Sequence, residues 1–164
     1  MIWARRVNGT HLLPFTCLLL ILSSSAGTQR PFTLSIVSLT PQTKMGEPVK
    51  IQITLTNTSS REIGILRSAA EFDYAIEVRN ARGKLVPMTP SFQEKNKPGS
   101  VRVFSSNVLY PLKPGDTLTD EVVVTDLYQM ANAGKYSVVI TRELPEDLGK
   151  GTVRSNTLAV TVVP

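Results

Sequence analysis

The residue types that most often carry out catalysis are scarce in this chain of 164 residues. Its single histidine, His11, and its single cysteine, Cys17, both lie within the first 26 residues. Residues 27–164 therefore contain neither a histidine base nor a thiol nucleophile, which excludes Ser-His-Asp and Cys-His catalysis there. Ordinary zinc sites are excluded for the same reason, because they are built largely from these two side chains.

Other reactive combinations are also missing from residues 27–164. A serine-lysine pair would show Ser-x-x-Lys spacing and a hydrolase elbow would read Gly-x-Ser-x-Gly, but the sequence contains neither motif. Glu143, Glu146 and Asp147 fall close together and could bind calcium through oxygen ligands. A solvated hairpin tip, with Lys150 and Arg154 nearby, is the simpler interpretation. We therefore expect no enzymatic activity, no metal and no cofactor.

The first 26 residues predict a cleavable export signal. Arg5 and Arg6 supply its positive start, an apolar run follows at 12–22, and Ala26 before Gly27 is a small-residue cleavage site. As a helix this run spans roughly 16 Å, about half of a bilayer's hydrocarbon core, so a permanent anchor is the weaker alternative. We predict a signal peptide at 1–26, a secreted or periplasmic domain at 27–164, and no stable membrane span after signal removal.

The charge of the predicted exported part is modest and dispersed. The whole chain has 18 Lys and Arg against 13 Asp and Glu, a net charge of +5. Because Arg5 and Arg6 fall in the signal, 16 basic residues remain against all 13 acidic ones, a net charge of +3. Nucleic-acid binding requires basic residues clustered on one face, so we expect no nucleic-acid partner. Without cysteine the domain also has no disulfide framework and depends on its hydrophobic core.

Apolar and polar residues alternate repeatedly along residues 27–164, and this period of two predicts strands with one buried face. The clearest case is 48–57, in which Val49, Ile51, Ile53 and Leu55 alternate with polar residues. Residues 89–100 predict an exposed loop and 126–131 a single helical turn. The other predicted strands are 32–39, 72–79, 84–88, 101–104, 117–125, 135–142 and 157–163.

Seven or eight short strands without a long helix predict an all-β fold in one domain, as a two-sheet sandwich in preference to a barrel. The residue patterns also resemble bacterial immunoglobulin-like domains. Tyr136 begins the penultimate strand, where immunoglobulin-like sandwiches place a tyrosine corner whose hydroxyl bonds upstream backbone. Further motifs are GEPVKI at 46–51, LTNTS at 55–59, the Gly-Lys turn at 83–84, LKPGD at 112–116 and NAGKY at 132–136.

Within the immunoglobulin-like domains, residues 34–163 are most similar to the intracellular proteinase inhibitor family, the BsuPI-like domains. The resemblance implies an antiparallel immunoglobulin-like β-sandwich that binds and inhibits a serine proteinase. It gives Tyr136 a structural role as the tyrosine corner. In the sequence of this chain no inhibitory reactive loop can be matched residue by residue.

Four residues are candidates for contact with a partner protein. Ile65 and Arg67 lie in a connection at 60–73 that is apolar for a loop, Phe92 lies in the polar loop, and Tyr110 precedes a proline. Exposed apolar residues on a rigid scaffold often mark a contact surface. The competing interpretation is that the apolar residues of 60–73 form another strand or plug one end of the core.

We therefore expect a non-catalytic module that binds another protein through its loops or through an unpaired sheet edge. The partner would be a proteinase or an envelope protein. Two alternatives remain open at this point: a proteinase inhibitor of the BsuPI-like type, and an enzyme that uses atypical residues.

Overall fold

The computed structural model describes residues 30–40, 42–97 and 108–164. The predicted signal peptide, with its cleavage site at Ala26 and Gly27, lies outside the described residues, as does the predicted strand at 101–104. Within the described ranges the strands are β1 (Phe32–Ser38), β2 (Gln42–Lys44), β3 (Lys50–Asn57), β4 (Ile63–Arg67), β5 (Ala75–Asn80), β6 (Val108–Leu112), β7 (Thr117–Val123), β8 (Gly134–Glu143), β9 (Thr152–Arg154) and β10 (Leu158–Val163). The helices are α1 (Ala70–Asp73), α2 (Pro90–Lys95) and α3 (Val124–Leu127), with a 3-10 turn at Glu146–Leu148.

The described strands form three sheets. One has the order β1-β3-β7, and the second has the order β2-β10-β8-β5 with β9 also paired to β8. The third is a two-stranded antiparallel sheet of β4 and β6, which are separated in the sequence by β5 and are not joined by a tight turn. We call this strand pair the β4–β6 hairpin for its two-stranded shape. These pairings are antiparallel except for β2 with β10, which is parallel. The prediction of an all-β fold is confirmed.

Strand β3 is the centre of the first sheet, and its alternation decides which face is buried. Ile51, Ile53 and Leu55 are fully buried, while the polar residues between them are partly exposed. In the register with β7, Ile53 lies opposite Asp120, which is also buried. The inward row of β7 therefore includes a carboxylate between Leu118 and Val122, two buried apolar residues.

The second sheet buries a matching row of apolar side chains. Val78 of β5, Val138 and Ile140 of β8, and Val160 and Val162 of β10 are all nearly inaccessible to solvent. They belong to the same hydrophobic cluster as the inward residues of β1, β3 and β7. Each fully buried aliphatic side chain contributes about 1.5 to 3 kcal/mol, so this shared cluster is the main source of stability.

Asn156, between β9 and β10, links the second sheet to the first. The backbone N–H of Ile36 in β1 donates to Asn156 Oδ1 at 2.8 Å, and Asn156 Nδ2 donates to the carbonyl oxygen of Ile36 at 3.0 Å. The neighbouring Ser155 accepts a hydrogen bond from the N–H of Ile140 at 3.0 Å. The connection between β9 and β10 is thus fixed to both sheets.

Several elements differ from the sequence-based expectation. The predicted strand at 72–79 begins as helix α1 and becomes strand β5 only from Ala75. The predicted strand at 84–88 is limited to two isolated bridges, Arg79 with Leu85 and Met88 with Tyr128. Four strands were not in the predicted set: β2 and β9 have only three residues each, β4 lies in the connection expected at 60–73, and β6 contains Pro111. Alternation is hard to detect in runs this short, and proline argues against a strand.

Candidate functional site

The β4–β6 hairpin exposes an apolar pair of side chains. Ile63 and Ile65 of β4 are buried against the core, whereas Leu66 is 51% exposed. Leu66 pairs across the hairpin with Leu109, which is 64% exposed. Gly64 lies beneath Leu109, and a Cβ there would lie 3.0 Å from Leu109 Cδ1, so the leucine side chain would have to shift slightly. The hairpin therefore has one face in the core and an apolar pair, Leu66 and Leu109, open to solvent.

A buried carboxylate fixes the end of this strand pair at which Arg67 lies. Asp120 of β7 accepts a hydrogen bond from the Tyr74 hydroxyl at 2.8 Å and pairs with Arg67 Nη2 of β4 at 2.5 Å. The guanidinium of Arg67 lies 5.5 Å from the ring centroid of Tyr110 in β6. Burial, and then the negative charge of Asp120, raise the pKa of the Tyr74 hydroxyl, so it stays protonated as a donor. Both strands of the hairpin are thereby connected to the first sheet.

A second buried charge, Arg142 of β8, lies on the other side of Tyr74. Its guanidinium carbon is 4.9 Å from the centroid of the Tyr74 ring, and its Nη2 donates to the carbonyl oxygen of Leu66. Its Nη1 lies 3.9 Å from Asp73 Oδ2, too far for a hydrogen bond. Asp73 is held in turn by Ser68, whose N–H and Oγ donate to it at 2.9 and 2.6 Å.

The Arg142 guanidinium is left with one unsatisfied nitrogen. Nη1 of Arg142 is buried and has no hydrogen-bond partner, and it is the one such side-chain nitrogen or oxygen atom among the residues that the structure describes. The side chain is 9% exposed, so solvent does little to compensate. Buried polar groups are nearly always hydrogen-bonded, and an exception calls for an explanation such as an ordered water or a ligand.

Arg142 lines a groove of about 630 Å³ between the hairpin and the end of β8. Leu66 and Leu109 line one side of it, and Phe72 and Leu144 add further apolar surface. The remaining lining residues are Gly64, Asp73, Ala75, Thr141, Glu143, Pro145, Asp147 and Thr152. The lining therefore combines apolar walls with three carboxylates and one guanidinium.

Three of the four predicted contact residues, Ile65, Arg67 and Tyr110, lie together in β4 and β6, but only two of them are exposed. Ile65 is fully buried as part of β4, so the expectation of a contact residue there is wrong, and the competing interpretation of a further strand is correct. Arg67 is 34% exposed at its side chain, and Tyr110 is 37% exposed. Only Arg67 and Tyr110 of these three can reach a partner.

Phe92 is also buried, at 5% exposure, and not an exposed anchor as predicted. The loop expected at 89–100 contains helix α2, whose N-cap Thr89 accepts from the N–H of Phe92. The helix turns the Phe92 ring inward, where its centroid is 6.4 Å from that of Phe72 and 6.3 Å from that of Tyr128. This small aromatic cluster explains why a phenylalanine occurs in an otherwise polar segment.

Tyr136, predicted as a tyrosine corner, is buried and bonds the upstream backbone. It is 7% exposed, and its hydroxyl donates to the carbonyl oxygen of Asn132, four residues upstream, at 2.7 Å. The contact fixes the start of β8, far along the strand from the groove residue Arg142.

Asp120 and Arg142 were missed in the sequence, although the signal was present. Asp120 falls two residues after Leu118 and two before Val122, so strict alternation places it on the buried face. Arg142 likewise follows Ile140 by two positions in β8. A charged residue at an inward position of an alternating strand predicts a buried, paired charge.

The acidic loop considered for calcium gives no metal site among the residues that the structure describes. Within 30–40, 42–97 and 108–164, no group of three or more His, Cys, Asp or Glu side chains is arranged to hold a metal ion. No helix in these ranges has both the length and the apolar character needed to cross a bilayer.

In comparisons with known proteins, no family model matches this chain and no curated protein is significantly similar to it.

Proposed function

We propose that this chain is a non-catalytic module that binds another protein through the β4–β6 hairpin. The observation that carries the proposal is the exposed pair Leu66 and Leu109 at the edge of the groove. Apolar surface of this kind on a rigid scaffold is typical of protein contact sites. The hairpin is tied to the first sheet because Arg67 is paired with buried Asp120 of β7.

We infer that residues 27–164 form an immunoglobulin-like sandwich. The order β2-β10-β8-β5 and the separate order β1-β3-β7 support this inference, as does the hydrophobic cluster shared by both sheets. The hydroxyl contact of Tyr136 gives further support. The export signal predicted at 1–26 supports a secreted or periplasmic location, where the partner would be an envelope protein or a proteinase.

A site-specific photocrosslinker tests the binding function. The full chain would carry a photoreactive phenylalanine in place of Leu109, or in place of Val37, which is 51% exposed on β1 and serves as the matched control. After irradiation in an extracytoplasmic extract of the source organism, we expect one adduct at Leu109 that unlabelled protein competes away. Equal adducts from both positions, or none from Leu109, would contradict the proposal.

Inhibition of a serine proteinase remains the alternative that follows from the resemblance to BsuPI-like domains. It predicts that the full chain lowers the turnover of a serine proteinase in proportion to its concentration. Substituting Leu109 by lysine should weaken inhibition if the hairpin is the contact surface. No effect on a panel of subtilisin-like and trypsin-like proteinases would rule out the alternative and leave the binding module.

A further inference from the structure

We propose that the groove lined by Arg142 binds an extended peptide segment of a partner protein, in which an apolar side chain lies next to a lysine or arginine. This inference rests on the proposed function and specifies the chemistry of the partner. Three features of the groove support it: its apolar walls, its unsatisfied donor and its charge.

The walls select an apolar side chain. Leu66 and Leu109 are exposed on the hairpin side, and Leu144 and Pro145 line the groove from the segment after β8. A volume of about 630 Å³ is within the range of roughly 300 to 1,000 Å³ that is usual for ligand sites. Covering the two leucines with an apolar side chain removes their surface from water, which is the main favourable term in association.

The unsatisfied donor calls for a neutral acceptor. Nη1 of Arg142 has no hydrogen-bond partner, while the carboxylate of Asp73 at 3.9 Å already balances the positive charge. A peptide carbonyl oxygen supplies the missing acceptor without adding a charge. Nη1 has less than 1 Å² of accessible surface, so a carbonyl oxygen reaches it only when the side chains lining the groove shift. Pairing this donor then offsets part of the roughly 1 to 3 kcal/mol that a buried, unpaired donor costs.

The charge of the groove favours a basic neighbour. Its lining contains Asp73, Glu143 and Asp147 against a single cation, Arg142, in a chain whose net charge is +5. Glu143 and Asp147 are exposed, and neither forms an ion pair within the described part of the chain. Arg61 approaches Asp147 only through a hydrogen bond to its backbone carbonyl oxygen. A lysine or arginine of the peptide, next to its apolar side chain, can therefore form an ion pair with Glu143 or Asp147.

A display selection identifies the peptide class. A library of random eight-residue peptides would be selected on the full chain and, in parallel, on the Leu109→Lys variant. Because Leu109 is exposed, this variant should fold, and a thermal melt checks that it does. We expect enrichment of peptides with an apolar residue beside Lys or Arg on the natural chain alone. Enrichment of acidic peptides, equal enrichment on both chains, or no enrichment contradicts the inference.

Affinity measurements on the enriched peptides test each contact. Leu109→Lys should weaken binding about tenfold or more, corresponding to about 1.4 kcal/mol. Glu143→Gln should weaken it several-fold at low salt, whereas Glu121→Gln, on an exposed position of β7, should have no effect. Arg142→Lys should weaken binding while Arg154→Lys, an exposed arginine of β9, should not. Unchanged affinity in Glu143→Gln or Arg142→Lys contradicts the role given to that residue.

The two proposals fail in different ways. If the selection yields no peptide while the photocrosslinker at Leu109 still captures a partner, the peptide inference is wrong and the binding function stands. If Leu109 captures no partner in the crosslinking experiment and no peptide is enriched, both are wrong.

Discussion

Replacing Asp120 by asparagine should destabilise the protein by loosening the hairpin from the first sheet. The substitution keeps the shape of the side chain and removes its charge. The Tyr74 hydroxyl, 2.8 Å away, can still donate to the amide oxygen. Arg67, whose Nη2 lies 2.5 Å from the carboxylate, loses its charged acceptor.

The magnitude follows from the burial of the two partners. A hydrogen bond between charged groups contributes about 1.5 to 3 kcal/mol. The Asp120 side chain is 4% exposed, but that of Arg67 is 34% exposed, so water replaces part of the lost interaction for the guanidinium. We therefore expect a loss of about 2 kcal/mol in the free energy of unfolding.

The next residue of β7 provides a matched control. Glu121 is 52% exposed at its side chain and lies 3.5 Å from Lys50 Nζ, so Glu121→Gln breaks a surface ion pair of similar chemistry. Such pairs contribute about 0 to 1 kcal/mol. In urea unfolding, Asp120→Asn should lower the midpoint by about 1 M and Glu121→Gln by much less. Equal midpoints for the two variants would refute the assignment of Asp120 as the anchor of the hairpin.

Four further predictions concern the core, the corner, pH and export. Ile53→Asp should abolish folding because it places a charge at a fully buried position. Thr54→Asp, on the outward face of β3, should change the free energy of unfolding by less than about 1 kcal/mol. If urea melts show that both substitutions are equally harmless, the assignment of the buried face of β3 is wrong. Tyr136→Phe keeps the ring but removes the hydroxyl bond, so chemical denaturation should show a loss of about 1 kcal/mol, and no loss would refute its structural role. Burial raises the pKa of Tyr74 above its unfolded value of about 10, and it also raises the pKa of Tyr128, so the folded state holds both protons more tightly. Their contribution to stability should be fully present below about pH 10 and be lost above it, and an unfolding free energy that stays flat from pH 10 to pH 12 would contradict this. N-terminal sequencing of the exported protein should start at Gly27, and recovery of uncleaved chain would contradict the signal peptide.

The sheets follow from alternation, but the hairpin at the candidate site does not. Strands β3, β8 and β10 repeat apolar residues at every second position over six residues or more, so their existence and buried faces could be predicted. Strand β4 has glycine at its second position and β6 has Pro111 at its fourth, which hides both strands from the pattern. Their pairing joins segments more than 40 residues apart in the sequence, and no local signal encodes it.

The groove depends on long-range contacts in the same way. Arg142 reaches the carbonyl oxygen of Leu66, and Asp120 reaches Tyr74, over separations of 76 and 46 residues. Alternation predicts that Arg142 and Asp120 face inward, yet it cannot predict which partners they meet. Phe92 was mispredicted for a local reason. The proline after Thr89 and the polar neighbours of Phe92 favoured a loop, but the segment forms a short capped helix that buries the Phe92 ring in the core.

The side chain of Asn156 also occupies part of the free edge of strand β1. Strand β1 lies at the outer end of its sheet, and a free strand edge is a template on which another chain can add a strand. At Ile36, in the middle of β1, both backbone groups are bound by the amide of Asn156, which takes the place of a neighbouring strand for one residue. An incoming strand would find its central donor and acceptor already occupied. A single asparagine thus interrupts this edge at one residue, and we expect it to disfavour edge-to-edge pairing with a strand of another molecule.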